Sequence, residues 1–434
     1  MQTIYLRRII HSFLLLLAAL HSKAQAPSPA LIGYFHNWQD ANAPYIQLDQ
    51  VDTRYRIIDV AFAMPIGGTD YKMSFVPDQV SQATFISQMQ TLQAQGRKIL
   101  ISIGGATAPI TLNNTAERDT FVTTMTQVIN TFGFDGLDID LEGSSLAVTG
   151  GTISNPVDAS VINLIDAVKQ IMANYQTANN QKMILTMAPE TAFVQGGQSG
   201  YGGIWGAYLP VIYGLKDSLD ILHVQLYNSG SMYGINNQIY TQGTADFIVA
   251  MCEAVIQGFN TAGGNFPGLP ASKVAVGLPA CTSAAGGGFV VADTIKAAVK
   301  YLRGMGPQPG SYTLANVAGY PTLRGLMTWS INWDAVSNCS PAYDYADTYA
   351  SLFMTPTGMS SAMAEEDKVI LYPNPTADHL TLLQSGAWQI MDMTGRVCRS
   401  GENAASRQRI DVSALPAGLY VLRVGEERIR FVKQ

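Results

Sequence analysis

The sequence is poor in charge, cysteine and histidine, and each shortage excludes something. Only 13% of its 434 residues are charged and the net charge is −6, which argues against a basic nucleic-acid-binding surface and leaves neutral, polar partners open. Hydrophobic residues reach 47%, so the low charge does not signal disorder; the chain has enough apolar side chains to build real cores. Four cysteines without a CxxC pair exclude a disulfide-dense scaffold in so long a chain. No HExxH occurs, and beyond residue 24 only His36, His223 and His379 remain, so neither a metal nor a cofactor is expected. The single long apolar run is Ile9–Leu20, shorter than the ~20 residues that span a bilayer.

That run follows Arg7 and Arg8 and precedes Ser22-Lys23-Ala24, a small-residue cleavage pattern. The expectation is a secretory signal peptide over 1–24, with a membrane anchor as the alternative. Export makes disulfides permissible. Cys281 and Cys339 fall just after two predicted strands, in loops expected to be neighbours, so a bond between them is expected, worth roughly 4 kcal/mol by loop-closure entropy. Cys252 is expected in a helix core.

From residue 31 to about 353, short apolar runs alternate with longer amphipathic stretches. Strands are predicted at 31–35, 56–63, 98–103, 133–141, 182–188, 220–227, 273–278 and 324–329. Helices are predicted at Gln79–Gln95, Thr115–Thr131, Val157–Tyr175, Ala245–Phe259 and Val291–Arg303. Eight strand and helix units favour an α/β fold, a closed (β/α)8 TIM barrel over 25–353, against an open doubly wound sheet. Residues 354–368 have linker composition. From 369 to 434 the pattern changes to period two with turn punctuation, as in a small antiparallel β-sandwich.

The most informative segment is Asp135-Gly136-Leu137-Asp138-Ile139-Asp140-Leu141-Glu142. Side chains of a strand alternate, so Asp138, Asp140 and Glu142 face one side and Leu137, Ile139 and Leu141 the other. Three inward carboxylates repel and raise at least one pKa, which suits a general acid held protonated near neutral pH. Glu142 is the candidate, since it ends the fourth strand on the face where barrel enzymes carry chemistry. A solvated edge strand and a hard-cation site are the blander alternatives. Gln225 and Tyr227 project together from the sixth strand, Trp329 ends the eighth and offers a flat face to a sugar ring, and the fifth ends in Met187-Ala188-Pro189-Glu190.

At these residues the sequence resembles the family 18 glycoside hydrolases. Its DxxDxDxE signature is met by Asp135, Asp138, Asp140 and Glu142, its SxGG by Ser102, Gly104 and Gly105, a QxYN motif by Gln225, Tyr227 and Asn228, and its eighth-strand tryptophan by Trp329. The resemblance implies hydrolysis of β-1,4-linked N-acetylglucosamine in chitin by a retaining, substrate-assisted route. Glu142 would be the acid, Asp140 would orient the acetamide, Asp138 would share a proton behind it, and Tyr227 would bind the acetamide carbonyl. Trp329, Gln225, Asn228, Met187, Tyr34 and Gly105 would bind substrate, with Asp135, Ser102 and Gly104 as structural members of the motifs. The rivals are an endo-β-N-acetylglucosaminidase acting on N-glycan cores and a chitin-binding protein without turnover; an aspartic-protease-like dyad lacks the paired loops it needs. Only 45 residues, Pro279 to Leu323, join the seventh and eighth strands, too few for the additional domain of many processive members, so an open cleft and endo action are expected.

The tail carries a second resemblance. Tyr372-Pro373-Asn374-Pro375, Asp392-Met393-Thr394-Gly395 and Leu415-Pro416-Ala417-Gly418-Leu419-Tyr420 are similar to the C-terminal sorting domain of the type IX secretion system of Bacteroidota. That implies delivery through the periplasm to the medium or the outer-membrane surface, with the secretion machinery as a partner. From the charge and the run lengths no nucleic acid and no stable membrane span are expected, and a monomer is expected. A carbohydrate-binding module is the alternative, with Trp388 its one candidate for stacking.

Overall fold

A computed structural model describes residues 26–337, 341–354, 371–372, 375–382, 386–393, 395–403, 408–424 and 427–434. The expected signal peptide, nearly all of the expected linker, and Cys339 lie outside these residues. The chain divides into two compact units, with the boundary at 355/356.

In the first unit, eight parallel strands form the barrel: β1 (Ala30–His36), β2 (Tyr55–Pro65), β3 (Lys98–Gly104), β4 (Gly136–Asp140), β5 (Ile184–Met187), β6 (Ile221–Leu222), β7 (Ala275–Pro279) and β8 (Gly325–Trp329). Their ladder runs β7-β8-β1-β2-β3-β4-β5-β6. Parallel bridges at Leu222–Val274 and Gln225–Gly277 join its two ends. The sixth strand, expected over 220–227, is regular for two residues only. Beyond it the backbone still serves as a stave, because Gln225 N donates to Pro189 O and Leu226 N to Gly277 O.

Helices α1 (Gln82–Ala94), α2 (Thr115–Phe132), α3 (Ala159–Asn179), α4 (Leu209–Leu215), α5 (Ala245–Gln257), α6 (Ala292–Leu302), α7 (Ile331–Asp334) and α8 (Asp344–Phe353) follow strands β2 to β8. Local sequence sets their limits. Ser81, Asn114 and Thr244 cap α1, α2 and α5 by accepting backbone N–H bonds, and Gly133 ends α2 at φ 79°. The β7–β8 connection contains α6 and a long loop, with no inserted domain. Buried Glu253 of α5 fastens that loop, accepting from the Tyr312 and Tyr320 hydroxyls at 2.6 Å each and from the Ala315 and Asn316 amides at 3.0 and 3.2 Å.

Strand parity divides the core in two. Leu137, Ile139, Leu185 and Met187 join the layer between strands and helices. Ile32, Tyr34, Ile57, Leu100, Ile184 and Ala188 fill the barrel interior. The second unit is a sandwich of two antiparallel sheets. Strands β9 (Leu371–Tyr372), β10 (His379–Leu382), β11 (Gly386–Asp392), β12 (Val397–Asn403), β13 (Gln408–Asp411), β14 (Gly418–Val424) and β15 (Glu427–Lys433) pair as β9-β10-β13 and β12-β11-β14-β15. Leu380 and Ile410 of one sheet share a core with Trp388, Ile390 and Leu422 of the other. Trp388 is therefore a core residue here. Among the described residues no helix is long and apolar enough to cross a membrane; Cys252 and Cys398 are free thiols, Cys252 buried.

Candidate active site

The site is built on β4, and glycines set how closely its neighbours approach. At Gly104, φ is 103° and a Cβ would stand 2.2 Å from Asp140 O; only glycine tolerates both. The next amide, Gly105 N, donates to the same oxygen at 2.7 Å, and a Cβ at Gly105 would meet the Phe62 ring at 2.9 Å. The SxGG motif is thus a docking seam for the end of β4. Tyr208 secures the other side, its hydroxyl accepting from Leu141 N at 2.6 Å and donating to Leu141 O at 3.0 Å.

Down the acid strand each carboxylate has a distinct setting. Asp135, at the base, accepts from Ile99 N, Gln93 Nε2 and Lys98 Nζ at 3.0, 3.0 and 3.2 Å, which fixes the start of β4. Asp138 is fully buried and accepts three hydroxyl hydrogens, from Tyr34 (2.6 Å), Ser102 (2.7 Å) and Thr186 (2.6 Å). Asp140 and Glu142 share one donor: Gln225 Nε2 lies 2.7 Å from Asp140 Oδ1, 2.9 Å from Glu142 Oε1 and 3.0 Å from Ala188 O. Burial pushes the Asp140 carboxyl well above the usual range, with the charges of Glu142 and Asp138 adding to it and the Gln225 amide opposing. Burial likewise raises Glu142, again against Gln225. Both acids are poised to hold protons.

Above them opens a cavity of about 260 Å³ lined by Asp140, Glu142, Gln225, Tyr227, Asn228, Gly105 and Trp329, together with Trp38, Phe62, Ala106, Thr107 and Ala284. Burial and then the charges of Asp140 and Glu142 raise the Tyr227 phenol, so it stays a donor. Asn228, at φ 57°, accepts from Gly286 N at 2.8 Å and so also anchors a rim loop. Trp329 lies near-parallel to Phe62, at 18° and 6.1 Å between centroids, and Phe62 to Trp38, at 20° and 6.4 Å. The three rings make an apolar floor suited to sugar faces.

Two expected substrate contacts are placed elsewhere. Met187 is fully buried in the strand–helix layer, because on β5 the inward parity belongs to Thr186 and Ala188. Tyr34 lies under the floor, 5.4 Å from Trp329 by centroid, with its hydroxyl on Asp138 rather than in the cavity. Trp38, Phe62, Thr186 and Tyr208 were not singled out from sequence. Parity within the fifth predicted strand could have found Thr186; Phe62 shares the parity of outward Ile58 and Val60 and reaches the cleft only where the β2 ladder is irregular between Val60 and Ala63, and nothing local marks Tyr208. Glu190 is half-buried just beyond β5, its carboxyl pushed up to about 7 by burial and by Glu142.

Asp59, Asp138 and His223 converge below, their nearest ligand-type atoms within 4.8 Å of one another. Asp138 already accepts three hydroxyl hydrogens and all three groups are sealed from solvent, so no metal is assigned there.

A parallel eight-stranded barrel with an acid ladder rising into an aromatic-floored cleft defines the glycoside-hydrolase class of (β/α)8 proteins. The chain belongs to Glycosyl hydrolases family 18, whose sequence profile matches residues 30–355. Residues 370–434 match the secretion system C-terminal sorting domain, which marks the chain for secretion or cell-surface attachment. Similar proteins include Chitinase Chi52 of Paenibacillus xylanexedens, 45% identical over 71% of this chain and 59% of its own length, and Chitinase D of Niallia circulans, 46% identical with the same coverage. The chain thus spans less than two thirds of these relatives. A family GH18 chitinase from Chromobacterium violaceum superimposes with a TM-score of 0.67 at 38% identity, over 75% of this chain and 84% of that one.

Proposed function

We propose that the protein is an endo-acting, retaining chitinase that uses the acetamide of its own substrate as nucleophile. The observation that carries this reading is the shared Gln225 amide, which holds Asp140 and Glu142 side by side on one wall of the cavity. A double displacement through an enzymic ester takes two carboxyl groups flanking the scissile bond at about 5–5.5 Å. Here the second acid sits beside and below the first, where it supports a bound amide better than it attacks a sugar carbon.

In this mechanism Glu142 gives its proton to the glycosidic oxygen as the C1–O bond breaks. The acetamide oxygen closes onto C1, Asp140 takes the acetamide N–H, and the Tyr227 hydroxyl donates to the acetamide carbonyl. Trp329 carries the reacting sugar. Asp138 accepts the proton that Asp140 releases as it becomes an anion beside the oxazolinium ion. Water, deprotonated by Glu142, then opens the ring with retention. The open β7–β8 side supports attack within chains. The domain limits proposed are a signal peptide over 1–24, a catalytic barrel over 25–353, a linker over 354–368 and a sorting domain over 369–434, the last handled by the type IX secretion machinery.

The test offers colloidal chitin and a high-mannose glycoprotein to the protein and to Glu142→Gln, with products read by mass. The expected result is chitooligosaccharides of several lengths at early times and a loss of 10²–10⁴-fold in the variant. Equal turnover by Glu142→Gln rejects the assignment. Release of N-glycans with intact chitin makes the protein an endo-β-N-acetylglucosaminidase instead.

A further inference from the structure

Beneath the acid ladder lies a titratable pair that the mechanism above does not use. Asp59 of β2 and His223, just after β6, are both fully buried. His223 Nε2 is 3.5 Å from Asp138 Oδ1 and 3.7 Å from Asp59 Oδ2. Neither carboxyl oxygen of Asp59 and neither ring nitrogen of His223 has a hydrogen-bond partner. Ordinary buried polar groups are satisfied; a histidine and an acid left without partners on either side of a well-bonded aspartate require another reason.

The proton inventory follows from the partners. Asp138 accepts from three hydroxyl donors, those of Tyr34, Ser102 and Thr186. Asp59 has no donor, and burial followed by the charge of Asp138 pushes its carboxyl well above the usual range, so it is a neutral acid. Burial lowers the His223 imidazole against the pull of Asp138, so it is neutral until the medium turns acidic. The other titratable groups facing this layer are Tyr34 of β1, edge-on to His223 at 6.2 Å, and Asp140 of β4.

We infer that His223 is a positioning residue and acid-side switch for the ladder: neutral, it leaves Asp138 free to take the Asp140 proton; protonated, it pins Asp138 as an anion and stops that transfer. In the permitted step the Asp140 O–H bond breaks, an O–H bond forms on Asp138, and the negative charge moves up one rung to face the bound acetamide. An imidazolium against Asp138 Oδ1 opposes that movement, because the charge would leave its cation. Asp59, being neutral, does not compensate it. The inference rests on the ladder mechanism proposed above and adds a control to it.

The experiment measures kcat and KM of the full chain on a soluble chitooligosaccharide from pH 3.5 to 8, for wild type, His223→Gln and Asp59→Asn, alongside ¹⁵N-histidine NMR of wild type. For His223→Gln the expected result is an acid limb of kcat displaced downward by about one pH unit, with KM unchanged and the maximal rate within about threefold. Asp59→Asn should keep the wild-type profile, since one neutral group replaces another, and the His223 ring should titrate along the acid limb. A rate reduced by the same factor at every pH in His223→Gln, a ring that stays neutral through the acid limb, or an acid limb displaced in Asp59→Asn overturns the inference. The NMR arm stands even where the His223 variant does not fold. Full turnover by Glu142→Gln would strike the ladder mechanism itself, whereas an unmoved limb in His223→Gln beside an inactive Glu142→Gln strikes this inference alone.

Discussion

Gln225→Leu isolates the device on which the site depends. The substitution keeps bulk in a position that is 3% exposed and removes the nitrogen lying within 2.7 and 2.9 Å of two carboxyl groups. Hydrogen bonds to charged groups contribute roughly 1.5–3 kcal/mol each. Because both acids can answer by holding protons more tightly, the net loss should be about 2–3 kcal/mol, not the full sum. At roughly 2 °C per kcal/mol for a large domain, Tm at pH 7.5 should fall by about 4–6 °C. The sign with pH follows from the raised carboxyl pKa values of Asp140 and Glu142. A carboxyl whose folded pKa exceeds its unfolded one destabilises the fold at pH above both, and that penalty fades as pH drops through the folded value towards the unfolded one. Without the opposing amide the pKa values rise further, so the Tm deficit should be largest at pH 7.5 and shrink by pH 4.5. In kinetics the alkaline limb of kcat should move upward, since Glu142 stays protonated to higher pH. Calorimetry at the two pH values, paired with the pH–rate profile, is the assay. An equal deficit at both pH values, or an alkaline limb that moves downward, would refute the reasoning.

Gly104→Ala should destabilise the barrel by at least about 2 kcal/mol and depress kcat, because its Cβ collides with backbone at Asp140. Gly143→Ala, at φ 59° with nothing within 4 Å, should lose only about 1 kcal/mol; denaturant melts of the pair compare collision with strain. Glu253→Ala strands two phenols and two amides of the β7–β8 loop and should lower stability by about 3–4 kcal/mol, with protease cutting between residues 303 and 323 as the sensitive readout. Thiol titration of the unfolded, unreduced protein should find two reactive cysteines, Cys252 and Cys398; four would reject the Cys281–Cys339 bond.

Much of this protein was determined by sequence pattern alone. Eight apolar runs at regular spacing specify the barrel, and parity within one strand specifies which acids face inward, since both are consequences of a fixed backbone period. That is why Asp138, Asp140 and Glu142 could be ordered by depth before any fold was at hand. Met187 is named by resemblance to the family and not by parity, which on β5 gives the inward positions to Thr186 and Ala188. What tertiary structure alone decided are contacts between residues far apart in the chain. Ser102 could be read as a motif member and Tyr34 as a substrate contact, but their convergence with Thr186 on a single carboxylate depends on strands β1, β3, β4 and β5 meeting at one level of the barrel. The Gln225 amide between two acids more than 80 residues away and the orphaned Asp59 and His223 pair arise in the same way. Local periodicity chooses the face of each strand; strand stagger and barrel closure choose which side chains share a layer, and those layers set the charges.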